Sequence, residues 1–161
     1  MSGTRWLRAL LVICFLLVGA TTALAEERFK DNGDGTVTDQ QMGLMWAKGD
    51  NQGDITWKQA VKWVTYTLPL TVQTSYENWR LPTVEELQTL YIKDSSDKVS
   101  ETDCGMRVRI VKTIELSCGW VWSAENKDIS ASVFSFKDGY HFPDLMMHDK
   151  AHRALAVRNV K

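Results

Sequence analysis

The sequence has no excess of basic charge, since its 19 lysines and arginines are balanced by 20 acidic residues and the net charge is −1. This balance excludes the broad positive field that holds nucleic acid and any general attraction to anionic membranes. Long apolar runs are also scarce, because nothing after residue 25 matches the hydropathy of the first 25 residues. We therefore expect no nucleic acid among the partners.

The one marked apolar run, Ala9 to Ala20, follows two arginines near the start of the chain and leads to Ala23-Leu24-Ala25. This order is typical of a signal peptide over residues 1–25, cleaved after Ala25. A retained anchor is the alternative. Cleavage would remove the two arginines and leave residues 26–161 as a single domain with 17 basic and 20 acidic residues. We expect a periplasmic or secreted protein without stable membrane insertion.

Cysteines are few, and the two beyond the apolar run are Cys104 and Cys118. In an oxidising compartment such a pair predicts one disulfide. The closed loop would be worth roughly 3 kcal/mol in the chain-entropy model. The cysteines are not close-set as Cys-x-x-Cys, so we do not expect them to be catalytic.

Catalytic motifs are missing from the sequence. It has no Ser-His-Asp order, no H-E-x-x-H motif and no phosphate loop. His148 and His152 lie four residues apart and close to His141, Asp144 and Asp149, so they would suit a metal ion if they were helical. We favour solvent-exposed histidines, and we expect no enzyme activity, no cofactor and no metal.

Acidic and glycine residues alternate in Asp31-Asn32-Gly33-Asp34-Gly35, before a predicted strand at Thr36 to Thr38. An EF-hand calcium loop needs an acidic or amide side chain at its third position and a glutamate at its twelfth. Those positions hold Gly33 and Met42. We therefore interpret the stretch as a tight turn rather than a calcium site.

Two helices are predicted from capping boxes. The first begins after Thr56, with Gln59 three residues later, runs to about Tyr66 and is stopped by Pro69. The second follows the stretch Trp79-Arg80-Leu81-Pro82-Thr83-Val84-Glu85-Glu86-Leu87, in which Thr83 and Glu86 form the box. Its buried face should hold Val84, Leu87 and Tyr91, and it should end near Ile92.

Residues 93–119 form the least regular stretch, and within it Arg107, Arg109 and Lys112 have only Glu115 to oppose them. We interpret the stretch as a long loop. The three cations are either solvated or an anion-binding surface, to which Trp120 and Tyr140 would add aromatic contacts.

Strands are predicted on both sides of these helices. They lie at Gly43–Trp46, at Gly119–Ser123 and around Leu155 and Val157. A further hairpin is predicted from Val133 to Phe142, with a two-residue turn at Asp138-Gly139 that places His141 opposite Phe136 in a packing role.

Several of these stretches resemble one family, the C-terminal domain of the Legionella collagen-like protein. They follow the family's order and cover nearly the whole chain after residue 25. They are Asp31-Asn32-Gly33-Asp34-Gly35-Thr36-Val37-Thr38-Asp39, Gly43-Leu44-Met45-Trp46, Trp57-x-x-Ala60, Trp79-Arg80-Leu81-Pro82-Thr83-x-x-Glu86-Leu87, Trp122-Ser123 and Val157-Arg158. The resemblance implies an α+β, C-type-lectin-like fold with two helices packed on small antiparallel sheets and a long irregular loop region.

The resemblance has limits. Members of the family often carry cysteines near the positions of Val64 and Ala156, and the Glu-Pro-Asn and Trp-Asn-Asp motifs of calcium-dependent lectins are missing; Glu77-Asn78-Trp79 is only superficially similar. The resemblance implies a binding or adhesion module for an extracytoplasmic protein or an anionic polysaccharide. A structural protein that docks on an envelope complex is the alternative, and an enzyme related in fold to formylglycine-generating enzymes is a more distant one.

Overall fold

A computed structural model describes residues 28–72, 76–93 and 99–160 of the chain. The predicted signal peptide, residues 1–25, lies outside the described residues. None of the helices in the described part is long and apolar enough to cross a membrane.

The described chain has a mixed α+β architecture, as predicted, with two short α-helices and three sheets. In chain order the elements are β1 (Phe29–Asp31), β2 (Thr36–Asp39), β3 (Leu44–Ala47), α1 (Trp57–Lys62), α2 (Val84–Leu90), β4 (Val99–Glu101), β5 (Arg107–Arg109), β6 (Trp120–Lys127), β7 (Ser130–Ser135), β8 (Tyr140–Leu145), β9 (His152–Arg153) and β10 (Val157–Asn159).

The first sheet has the order β1-β2-β3-β10 and is antiparallel throughout. Its first hairpin confirms the predicted turn. Asp31 Oδ1 accepts a bond of 2.9 Å from Gly33 N, and Asp34 Oδ1 accepts one of 3.0 Å from Thr36 N. Gly33 and Gly35 have φ values of +76° and +87°, which glycine adopts without strain. Both aspartates therefore shape the turn.

The first helix begins as predicted, because Thr56 and Gln59 form the expected capping box. The predicted end near Tyr66 matches the extent of the helical path, but the α-helix itself is shorter and the prediction that Pro69 stops the helix is wrong. The α-helix ends at Lys62, a π-helical turn follows over Trp63–Thr67, and a 3-10 turn over Leu68–Leu70 carries the path past Pro69. The Thr65 hydroxyl donates to Val61 O over 2.8 Å. The hydroxyl thereby competes for this carbonyl with the backbone N–H that would bond to it in an α-helix. This competition favours the wider π-helical turn.

The second helix, α2, also has its predicted capping box, formed by Thr83 and Glu86. Leu87 and Leu90 are fully buried, whereas Val84 and Tyr91 are half-buried. The predicted face was therefore right at Leu87 and missed Leu90. The helix packs against β6 and β7, so these leucines connect it to the second sheet.

The second sheet has the order β8-β7-β6-β9, and β9 runs parallel to β6. The predicted two-residue turn between β7 and β8 is wrong, because Ser135 pairs with Tyr140 and the loop is Phe136–Gly139. Phe136 is fully buried, its N–H donates to Gly119 O, and its carbonyl accepts from Arg109 N. Because of these bonds, Phe136 does not pair with β8 and lies in the loop between β7 and β8.

The longer loop shifts the hairpin register. His141 pairs with Phe134 instead of Phe136, and its side chain is exposed instead of packed. The packing role predicted for His141 is therefore wrong.

The stretch predicted as irregular contains a two-stranded hairpin of β4 and β5, with residues 94–98 outside the described chain. The loop prediction is corrected accordingly.

The predicted disulfide is confirmed, because Cys104 and Cys118 are bonded with their Cα atoms 5.4 Å apart. It attaches the tip of the β4–β5 hairpin to the residues that enter β6.

Candidate functional site

A cleft of about 560 Å³ lies beside the β4–β5 hairpin. Its lining carries four carboxylates and one amine, so its charge is mainly negative. The charged lining residues are Asp50, Glu101, Asp103, Lys112 and Glu115. Val108, Ile110 and Ile114 supply an apolar floor and are all buried. The cleft therefore suits a neutral or cationic group better than an anion.

The floor of the cleft includes a buried network of hydrogen bonds. No local sequence pattern predicts this network. Asp50 accepts hydrogen bonds from Gln52 N at 2.7 Å, Ser117 N at 2.7 Å and Ser117 Oγ at 2.9 Å. Ser117 Oγ accepts from Arg153 Nε at 2.7 Å, and Arg153 donates to Asp54 at 2.8 Å.

Burial raises the pKa of Asp50, although the bonds from Ser117 and Gln52 and the charge of Arg153 oppose this effect. Its carboxylate oxygens are already occupied as acceptors. The network therefore fixes the loops around the cleft, and its members come from sequence positions too far apart for a motif to reveal them.

The structure does not gather the three predicted cations on one surface. Arg107 and Arg109 lie on the same face of β5, because side chains two residues apart share a face of a strand. Val108 lies on the opposite face and lines the cleft, as Lys112 does. Lys112 therefore lines the cleft and the two arginines do not, although Glu101, the cross-strand partner of Arg107, is also a lining residue.

A fourth cation, Lys137, joins the arginines. The guanidinium of Arg109 donates to Lys137 O at 3.1 Å, and Arg109 N donates to Phe136 O at 2.8 Å. Arg107 and Lys137 are exposed, and Tyr140, at the end of the same turn, is 73% exposed. We call Arg107, Arg109, Lys137 and Tyr140 the basic–aromatic surface. The prediction missed Lys137 because it lies 28 positions after Arg109 in the sequence.

The two predicted aromatics lie on one face of the second sheet. Ser135 pairs with Trp120 on one side and with Tyr140 on the other. The two aromatics are therefore about 10 Å apart, which is two strand spacings. Trp120 is half-buried and packs edge-on against Phe142, so Tyr140 is the more accessible of the pair.

The predicted structural motif around Trp79 has a packing role. Trp79, Leu81 and Pro82 are buried. Arg80 makes two bonds to the Glu86 carboxylate, of 2.8 Å and 2.7 Å, and its backbone bridges to Val157. Burial alone would raise the pKa of Glu86, but the bonds from Arg80 and Thr83 N outweigh it and lower that pKa.

The histidines predicted to be exposed do not share one environment. His148 is 53% exposed, but His152 is 2% exposed and stacks on Trp122 with ring centroids 4.4 Å apart. The prediction is therefore wrong for His152, which lies in β9 rather than on a helix. Burial lowers the pKa of His152, against the opposing effects of Lys150 O and Asp144. Both imidazoles contact the carboxylate of Asp144.

An apolar groove of about 500 Å³ lies next to this histidine loop. Ile129 and Met147, two of its lining residues, are 72% and 76% exposed, and Leu145 and Met146 complete its apolar wall.

Comparison with known proteins gives one clear relationship. No curated protein matches the chain. The family model of the Lcl C-terminal domain matches residues 35–160, which covers both helices, all three sheets apart from β1, and the cleft. The chain therefore belongs to the Lcl C-terminal domain family.

Proposed function

We propose that this protein is a non-enzymatic extracytoplasmic binding module that holds an anionic polysaccharide on the basic–aromatic surface. The observation that carries the proposal is the contact of Arg109 with the turn at Lys137. It brings Arg109 beside the loop that carries Lys137 and leads to the exposed Tyr140, and Arg107 lies on the same face of β5 as Arg109.

The chemistry of these side chains suits sulfate and carboxylate groups on sugars. An arginine fork donates two parallel hydrogen bonds to one oxyanion, and a lysine adds a mobile charge. Tyr140 offers a ring face and a hydroxyl to a sugar. The acidic cleft beside the hairpin would repel the same ligand, and Glu101, which lines that cleft and pairs with Arg107, lowers the net positive charge next to the surface.

The extracytoplasmic part of the proposal rests on the disulfide, which persists in oxidising compartments. The mixed α+β architecture, with two short helices packed against small sheets, supports a C-type-lectin-like fold. In such an arrangement a rigid scaffold presents loops for recognition.

The test is binding of the protein to a panel of neutral, carboxylated and sulfated polysaccharides, at low and high salt and with EDTA. We expect salt-sensitive, EDTA-insensitive binding of the anionic chains. The variant R107S/R109S/K137S should bind at least about tenfold more weakly, which corresponds to 1.4 kcal/mol. Lys112→Ser is the matched control, because it removes a cation that lines the cleft and does not belong to the basic–aromatic surface, and it should bind normally.

Other outcomes would overturn the proposal. Equal binding by the triple variant would exclude the surface. EDTA-sensitive binding would show that a bound metal ion, rather than the basic–aromatic surface alone, holds the polysaccharide.

A structural subunit of an envelope complex is the second candidate, supported by the apolar groove with its exposed Ile129 and Met147. Apolar surface of this kind favours protein contact over carbohydrate. The double variant I129S/M147S separates the two candidates. It should leave polysaccharide binding unchanged if the first proposal is right.

A further inference from the structure

The buried imidazole of His152 faces Oδ2 of the Asp144 carboxylate, whose Oδ1 already accepts a hydrogen bond from Leu145 N. His152 Nδ1 lies 2.9 Å from Lys150 O. A carbonyl oxygen only accepts, so Nδ1 carries the ring hydrogen. In the neutral form of this buried ring, Nε2 then presents a lone pair. Asp144 Oδ2, also an acceptor, lies 3.1 Å away, and Nε2 has no hydrogen-bond partner in the described chain.

We propose that Asp144 and His152 are two ligands of a site for a divalent transition-metal ion of the Zn²⁺ type, which His148 completes. An ion between the two acceptors would replace their repulsion with two bonds. Carboxylate oxygen and imidazole nitrogen are both ordinary ligands of such ions.

The separation of the two atoms fits this site. Zinc lies about 2.0–2.1 Å from a histidine nitrogen and about 2.0–2.2 Å from a carboxylate oxygen, which places neighbouring tetrahedral ligands about 3.3–3.5 Å apart. The observed separation of Nε2 and Oδ2 is 3.1 Å. Little movement of either side chain is needed to admit the ion.

The surroundings of His152 are those of a positioned ligand. A metal-binding histidine commonly donates its second ring N–H to a carbonyl or carboxylate, which fixes the tautomer and aims the other nitrogen. Lys150 O has that position here. Trp122 stacks on the ring at 4.4 Å with an interplanar angle of 20°, and Trp120 lies beside it at 5.6 Å. The ring therefore has one available orientation.

The third ligand is His148. Its Nδ1 lies 2.8 Å from Asp144 Oδ1, and the side chain is 53% exposed. Within residues 28–72, 76–93 and 99–160 no three ligating side chains stand ready around one point. His148 must therefore release its contact with Asp144 Oδ1 and turn about its side-chain torsions to reach the ion, and its exposure leaves room for this rotation. Water would fill the remaining position.

The test is titration of the untagged full chain with Zn²⁺ by calorimetry, and with Co²⁺ by visible absorption, which reports tetrahedral geometry. We expect one ion per chain. Asp144→Asn and His148→Ala should each weaken binding at least about tenfold, since even supporting groups of metal sites have effects of that size. His141→Ala is the matched control, because His141 is an exposed histidine on the same strand as Asp144, and it should bind normally.

Circular dichroism of each variant separates lost binding from lost folding, and His148→Ala changes only an exposed side chain. The proposal is overturned if the wild-type protein binds no Zn²⁺. It is also overturned if folded Asp144→Asn and His148→Ala bind as tightly as the wild type, or if His141→Ala loses binding as they do.

Discussion

Replacement of Glu86 by alanine should lower the free energy of unfolding by about 2 kcal/mol. Its carboxylate accepts two bonds from Arg80 and one of 2.8 Å from Thr83 N. The bond from Thr83 N to the Glu86 carboxylate completes the capping box, and one such intramolecular hydrogen bond is worth about 1 kcal/mol. An exposed ion pair contributes up to about 1 kcal/mol. The Glu86 side chain is only 14% exposed, which favours the upper end of that ion-pair contribution. Arg80 is 40% exposed, so its guanidinium becomes hydrated again when it loses its partner.

The assay is urea unfolding of the wild type, Glu86→Ala, Arg80→Met and the double variant at pH 7. The double-mutant cycle should give a coupling free energy of about 1 kcal/mol. Glu85→Ala is the matched control, since Glu85 is an exposed acidic residue in the same helical turn, and its effect should stay within about 0.5 kcal/mol.

The destabilisation should also depend on pH. The pKa of Glu86 in the folded protein lies below its ordinary value of 4.5, so the folded state binds fewer protons than the unfolded state near that pH. The contribution is therefore complete above the ordinary value and is lost as the pH falls through the folded pKa. The wild type and Glu86→Ala should converge in stability at low pH. A coupling near zero at pH 7, or a difference that grows on acidification, would refute the reasoning.

Further predictions concern the disulfide and two glycines. Replacement of Cys104 and Cys118 by alanine should lower the free energy of unfolding by roughly 3 kcal/mol in urea, and a reductant should do the same to the wild type but leave the variant unchanged. Gly33→Ala and Gly139→Ala both place a side chain at a positive φ, which costs about 1 kcal/mol. Thermal unfolding should show the larger loss for Gly139→Ala, because a Cβ there would overlap the Tyr91 ring whereas Gly33 has open space; equal losses would exclude that overlap.

Local chemistry made parts of the fold predictable. Both capping boxes and the first hairpin formed where the sequence placed them, because each depends on residues within one turn. The disulfide was predictable because the two cysteines beyond the apolar run leave one pairing. Burial overrode local chemistry at Phe136. An Asp-Gly pair favours a two-residue turn, but this ring enters the core, and its backbone bonds to Gly119 and Arg109 lengthen the loop.

The candidate site was harder to predict because its parts are distant in sequence. Asp50 meets Ser117 across 67 positions, and Arg109 meets Lys137 across 28. No periodicity links such residues. The burial of His152 likewise depends on its parallel pairing with Trp120, which requires the whole second sheet.

The most direct test of the proposed function is an amide-resolved NMR titration of the protein with a sulfated oligosaccharide. The account predicts chemical-shift changes concentrated at Arg107–Arg109 and at Lys137–Tyr140, reduced by added salt, with little change around Asp50, Lys112 and Glu115. Changes centred on the cleft, changes centred on the apolar groove, or no changes at all would contradict it.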